Sequence, residues 1–343
     1  MGTMKKTAYI FALLLTVILA GCVKEELPSE NTPSGNLEAL WQLLDERYCF
    51  FDYKKERLGV DWDEVHERYK KKVNDKMTTV QLFEVCCNMI GELQDGHVNL
   101  GASFDLGRNW SFWEEHTENY YDSIARSYLG TDYNIASSLK FKVLDDNIGY
   151  VRCESFSDWL GDGNISSMVS LLSACNGLIV DVRGNGGGEL TNAEKLASHF
   201  TNDKILVGYS YHKTGKGHND FSSPEAEYLE PAKGTRWQKQ TVVLTNRKCY
   251  SATNDFVKMM KCIPNVTLLG DTTGGGSGLP FTQEIPCGWS VRYSAVVYVD
   301  KDKQQIEFGI APDVRVEMDM ADVMKRKDTL IERARQYLNN SKQ

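Results

Sequence analysis

The stretch GLIVDVRGNGGGELTNAEKL, Gly177–Leu196, decides the fold. An apolar run gives way to a polar break, then to five residues of which four are glycine, then to a helical pattern. A strand feeding a glycine loop and a helix N-terminus outlines an anion site, because first-turn amides lack partners and the helix dipole favours negative charge. Two anions fit, a nucleotide phosphate and the oxyanion of an acyl transfer. The dinucleotide pattern needs a third glycine where Glu189 stands and an acidic residue ending the next strand, KILVGYSY, which has none. A Walker lysine is also lacking, so the oxyanion remains and no nucleotide is expected.

Outward from this stretch the chain alternates. SSMVSLLSAC precedes it as a helix pattern; TVVLTN, then ATNDFVKMMKCI, then NVTLLG follow as strand, helix and strand. Strands alternating with helices of this length imply crossovers and a mainly parallel or mixed central sheet, an α/β fold. KFKVL and IGYVRCESF read as a strand pair before it, with SVRYSAVVYVD and IEFG as antiparallel strands after it and an amphipathic helix at the end. Upstream the period is helical: Leu37, Leu40, Trp41 and Leu44 share one face, as do Trp62, Val65, Tyr69 and Val73. Thr78 or Thr79 can cap a helix carrying Phe83, Cys86 and Ile90. Residues 37–94 thus read as an N-terminal helical bundle and 95–343 as the α/β core. Between Gly101 and Leu139 aromatics such as Trp110, Trp113 and Tyr120 accumulate without clear period, which reads as a loop-rich connection.

The N-terminus is of another kind. Two lysines precede an apolar run from Ala8 to Ala20, too short to span a bilayer and fitting a secretory signal over 1–21. Leu19-Ala20-Gly21-Cys22 resembles the lipobox of bacterial lipoproteins, which makes Cys22 the lipidated residue and the polar 22–36 a tether. The expectation is an exported lipoprotein on the outer membrane or cell surface, or facing the periplasm, held to its membrane through a lipid. The net charge of -8 argues against a nucleic-acid partner. The remaining cysteines lack the paired spacing of a zinc site and read as small buried hydrophobes, so neither metal nor cofactor is expected.

In LTNRKCYSATNDF, Ser251 stands where a strand turns into a helix. Serine there is commonly an N-cap, yet the same turn exposes a nucleophile and aims the Ala252 amide at a developing oxyanion. A nucleophilic serine needs a base. His66 and His199 lie within helix patterns, His116 in an aromatic segment, and His212 and His218 in a loop. His97 follows an Asp-Gly turn at an element boundary, where a scaffold can present it. Lys258 is seven residues beyond Ser251, about 10 Å along the helix axis at 1.5 Å per residue, and too far to serve.

The ordered set LQDGHVNL, IGYVRCESF, LIVDVRGNGGG, LTNRKCYSATNDF, GDTTGGGSG and FGIAPDVRVE resembles the serine peptidase superfamily of C-terminal processing peptidases, the tricorn core and the interphotoreceptor retinoid-binding protein. The resemblance implies a crotonase-like core with an N-terminal helical bundle and a peptide or protein substrate. It implies Ser251 as nucleophile and His97, matching the tricorn histidine, as base. The oxyanion donors would be the amides of Ala252 and of Gly187, with Gly186 as second choice. The lysine of the C-terminal processing branch is missing from GDTTGGGSG, and Gly96 stands where the tricorn branch has a serine. Glu307 matches the orienting glutamate, reaching His97 directly or through water; the plainer alternative is a solvated glutamate at a strand end. Between Leu100 and Asn147 there is no room for the family's PDZ domain. A catalytically silent binding lipoprotein on the same fold is the alternative function.

Overall fold

The computed structural model describes residues 30–107 and 116–340. The expected signal peptide, Cys22, the expected tether up to residue 29, Trp110 and Trp113 lie outside the described residues. In chain order the elements are α1 (Pro33–Arg47), α2 (Phe51–Leu58), α3 (Trp62–Lys70), α4 (Thr79–Gly91), β1 (Asn99–Gly101) and α5 (Asp122–Leu129). Then come β2 (Asn134–Ala136), β3 (Leu139–Val143), β4 (Ile148–Arg152), α6 (Asp162–Leu172), β5 (Gly177–Asp181), α7 (Leu190–Ser198), β6 (Ile205–His212) and β7 (Glu225–Leu229). The last are β8 (Thr241–Thr245), α8 (Ala252–Lys261), β9 (Val266–Gly270), β10 (Gly278–Glu284), β11 (Ser290–Asp300), β12 (Val314–Arg315), α9 (Met320–Met324) and α10 (Thr329–Asn340).

The expected α/β core is present as a seven-stranded sheet in the order β12-β9-β8-β5-β4-β3-β2. β12, β9, β8, β5 and β4 run parallel, and β3 and β2 add on antiparallel. Every residue of β5 and β8 is buried, as expected of parallel strands covered on both faces. Full burial of each Val, Leu or Ile there contributes about 1.5–3 kcal/mol.

A second sheet, wholly antiparallel, carries β1, β11, β6 and β7, with β10 on the other edge of β11. Two expectations change here. KILVGYSY does not join the parallel sheet: β6 alternates in burial and contains Gly208 and Ser210, and it pairs with β11 instead. IEFG forms no strand; Glu307 and Phe308 sit in a turn closed by a bond from the Gly309 amide to the Ile306 carbonyl.

The second sheet also explains the N-terminal helices, whose apolar faces share one core with β11 through Val291, Tyr293, Val297 and Val299. α1 starts earlier than the apolar period implied, because Thr32 caps it and Pro33 fills a first-turn position that needs no amide. Residues 33–36 are therefore helix rather than tether. α4 is capped by Thr78 and Gln81 in a reciprocal capping box. The helical unit with the second sheet forms one side of the molecule and the parallel sheet the other. The site lies where they meet.

Candidate active site

Ser251 ends the connection from β8 to α8 with φ 57° and ψ -126°, a left-handed conformation that side chains rarely adopt. Its side chain makes no cap bond to the helix, so the N-cap reading fails. The backbone is pinned instead: the Ser251 amide donates to the Gly275 carbonyl at 2.9 Å, and Tyr250 bridges the same glycine. Strain held in this way at a strand-to-helix turn pushes the hydroxyl out of the elbow. It meets His97, whose Nε2 lies 3.0 Å from Ser251 Oγ.

His97 comes from the other side of the molecule, in the turn between α4 and β1. Asp95 builds that turn. Its Oδ1 accepts the His97 amide at 2.7 Å, and its backbone carbonyl accepts the Val98 amide at 3.0 Å. The same carboxylate receives the phenols of Tyr48 at 2.8 Å and Tyr250 at 3.3 Å, both protonated because burial pushes their pKa well up. The Tyr250 ring packs on the imidazole with centroids 4.9 Å apart. A Cβ on Gly96 would sit 2.9 Å from the Tyr250 hydroxyl, so this ring fills the room a serine at 96 would need.

Burial lowers the His97 pKa to about 4, with the Asp95 charge opposing and the charges of Arg292 and Lys54 adding. The imidazole is neutral at pH 7, as a general base must be. Its Nδ1 is buried without a hydrogen-bond partner among the described residues.

Glu307 shares this cluster but makes no direct bond to His97. Its Oε1 pairs with Lys54 Nζ at 3.0 Å, and its Oε2 accepts the Ser277 amide at 2.8 Å and the Ser277 hydroxyl at 3.4 Å. It is 4% exposed, so the solvated strand-end alternative fails as well. Burial raises its pKa against the pull of Lys54.

Of the expected oxyanion donors, Ala252 opens α8, beside the nucleophile. Gly187 has φ 107°, and a Cβ there would lie 2.9 Å from Ser251 Cβ and 3.1 Å from Ala252 N, so only a glycine lets this loop pack against the elbow. Its amide, however, donates to Asn185 Oδ1 at 2.9 Å. Gly186, with nothing within 4 Å of its Cβ position, is the more open of the two. A phosphate is unwelcome here: Glu189 is the N-cap of α7, and its amide is used by the Phe156 carbonyl.

The other candidates go elsewhere. His66 bonds Glu38, His199 the Thr235 carbonyl and His218 Asp45, while His212 faces Glu225 at 3.8 Å. Lys258 is buried between Asp255 and Glu227. Among the described residues no group of His, Cys, Asp and Glu is placed to hold a metal ion, and no helix is long and apolar enough to cross a membrane. The sequence reading used Asp95 only as half of a turn and missed its carboxylate contacts, and it missed Tyr250, Asn185 and Lys54, the last a lysine that the structure buries on α2 with Phe51.

Comparison with known proteins adds an independent view. Residues 147–316 match the model of peptidase family S41, and residues 29–91 that of the Tricorn protease C1 domain. The chain is 27% identical over 176 residues to the carboxy-terminal processing protease CtpA of Bacillus subtilis, 51% of this chain and 36% of that protein. It is 26% identical over 149 residues to CtpB of the same organism, 43% of this chain and 28% of that protein. The matched region thus spans about a third of the length of these curated relatives. A crystal structure from Parabacteroides merdae, of a protein proposed to be a peptidase, is 49% identical with a TM-score of 0.86, covering 90% of this chain and 97% of that one. Mature CPAF complexed with lactacystin superposes with a TM-score of 0.69 at 12% identity, over 91% of this chain and 97% of its own, a likeness of fold alone.

Proposed function

Because the chain belongs to peptidase family S41, we propose that it is a serine peptidase that cleaves proteins or peptides outside the cytoplasm. The observation that carries the reading is the 3.0 Å approach of His97 Nε2 to a Ser251 hydroxyl displayed on a strained elbow. Ser251 Oγ attacks the scissile carbonyl carbon while His97 Nε2 takes its proton. The tetrahedral oxyanion is held by the Ala252 amide and by the amide of Gly187 or Gly186. Collapse expels the amine, which leaves with the proton from His97, and water then releases the acyl group by the same steps in reverse. For Gly187 to serve, its amide must turn from Asn185 toward the oxyanion. Asp95 fixes the backbone that presents the base, and Glu307 supplies negative charge near the imidazolium as it forms.

Hydrolysis of fluorescein-labelled casein checks this. Ser251→Ala, correctly folded by circular dichroism, should lose it, and retained hydrolysis in that variant contradicts the assignment. The occupied Gly187 amide favours a second reading, a silent peptide- or ligand-binding protein on the same fold, for which the folded wild type would hydrolyse nothing.

The exported, lipid-anchored location is part of the same proposal and rests on the Leu19–Cys22 pattern. Cys22→Ser should move the protein from the membrane to the soluble fraction and abolish incorporation of labelled palmitate. An unchanged distribution would remove the anchor.

A further inference from the structure

The reaction just described leaves a buried charge beside Glu307 without a task. Lys54 is wholly buried on α2, an element of the helical unit, and reaches across the interface to the catalytic centre. Its ammonium contacts Glu307 Oε1 at 3.0 Å, donates to the Gln94 carbonyl at 3.2 Å and lies 4.4 Å from the centre of the Phe308 ring. Gln94 has φ 45° and opens the turn that Asp95 and His97 complete. An ammonium is costly to strip of water, and a buried ion pair replaced by well-packed apolar side chains often leaves a protein no less stable. Stability alone therefore gives no reason for a lysine at this position.

We propose, resting on the peptidase reading, that Lys54 is a positioning residue of the active centre: its ammonium holds Glu307 as a carboxylate beside the catalytic pair and ties down the turn that presents His97. The physical need is clear from the reaction. His97 becomes a cation as Ser251 attacks, and a buried imidazolium requires negative charge nearby. Asp95 and Glu307 are the carboxylates of the cluster; the Lys54 charge by itself works against the imidazolium, so its service lies in the carboxylate it keeps charged and the turn it holds. The titratable groups that feel the Glu307 charge are the Tyr48, Tyr53 and Tyr250 phenols and the Cys49 thiol, all raised by burial and uncharged at neutral pH. Without Lys54, Glu307 would stand buried near Asp95 with no cation in contact. It would then take up a proton at neutral pH and release it only in alkali. The sign follows: the loss caused by removing Lys54 is greatest at low pH and shrinks as pH rises.

The test is the second-order rate of fluorophosphonate labelling of the full chain between about pH 6 and 9, in wild type, Lys54→Met, Lys54→Arg and the double variant Lys54→Met/Glu307→Gln. A carboxyl whose pKa lies one unit above the ambient pH keeps only about a tenth of its charge. Lys54→Met should accordingly label about tenfold more slowly at pH 7, with the gap closing several-fold towards pH 9. Lys54→Arg should recover most of the rate. The double variant buries no unpaired charge and carries the test if the single variant fails to fold; it should be slow at every pH. A Lys54→Met rate equal to wild type, a gap independent of pH, or a double variant as fast as wild type overturns the role of Lys54. Wild type that fails to label, or Ser251→Ala that labels like wild type, overturns the peptidase reading and takes the inference with it. Wild type that labels at Ser251 keeps the two outcomes apart.

Discussion

The nucleophile and the base of the proposed site are held by different kinds of structure. Ser251 rides on a crossover of the parallel sheet, where β8, the elbow and α8 follow within a few residues and backbone bonds to Asn185 and Gly275 hold the elbow in place. His97 sits in a turn whose shape depends on polar contacts from far along the chain: Tyr48, Tyr250 and, through Gln94, Lys54. The nucleophile's turn is thus legible in one stretch and held by backbone bonds within one half, whereas this base is set by side chains across an interface between two halves. Damage on the Ser251 side should abolish chemistry and spare the fold. Damage on the His97 side should weaken both.

Four substitutions sharpen that contrast. Ser251→Ala and His97→Ala should lower casein hydrolysis most, by about 10³-fold or more, since triad members act as a unit and either loss removes most of the chemistry. An equal loss in both, with melting temperature held in Ser251→Ala, supports the division. Residual activity in His97→Ala well above that of Ser251→Ala would point to another base. Next, Gly187→Ala should cost about 10²–10³ in kcat, because the added Cβ forces the loop away from Ser251 and Ala252. Unchanged kcat there would remove Gly187 from the oxyanion site and leave Gly186. Smallest is Asp95→Asn, expected to lower kcat by about tenfold and stability by about 1.5–3 kcal/mol, because a carboxylate accepting charge-assisted bonds becomes an amide that must turn a donor towards one of them. Thermal unfolding and kcat read together decide this; a loss of kcat without any loss of stability would break the claim that this side couples fold and function.

The same division accounts for what the sequence made legible. The parallel core, the elbow and Ser251 follow from local patterns: fully apolar strands, a glycine loop and a serine at a strand-to-helix turn. His97 could be picked out by its place after a forced turn, and Glu307 only through resemblance. The contacts of both were hidden, because Lys54 and Glu307 are 253 residues apart and no periodicity links them. KILVGYSY was misassigned for a related reason: a strand shows that it will pair but not with which sheet, and only the alternation of β6 separates it from the fully buried β5 and β8. IEFG failed as a strand because the Glu307 carbonyl is used by the Gly276 amide, which binds the segment to the site as a turn.

The central claim is that Ser251 is a nucleophile activated by His97, and covalent labelling tests it most directly. Wild-type protein treated with a fluorophosphonate and mapped by peptide mass spectrometry should carry one phosphonyl group, on Ser251, with none on Ser251→Ala and little on folded His97→Ala. A folded wild type that takes up no label, or takes it up at another residue, would contradict the account.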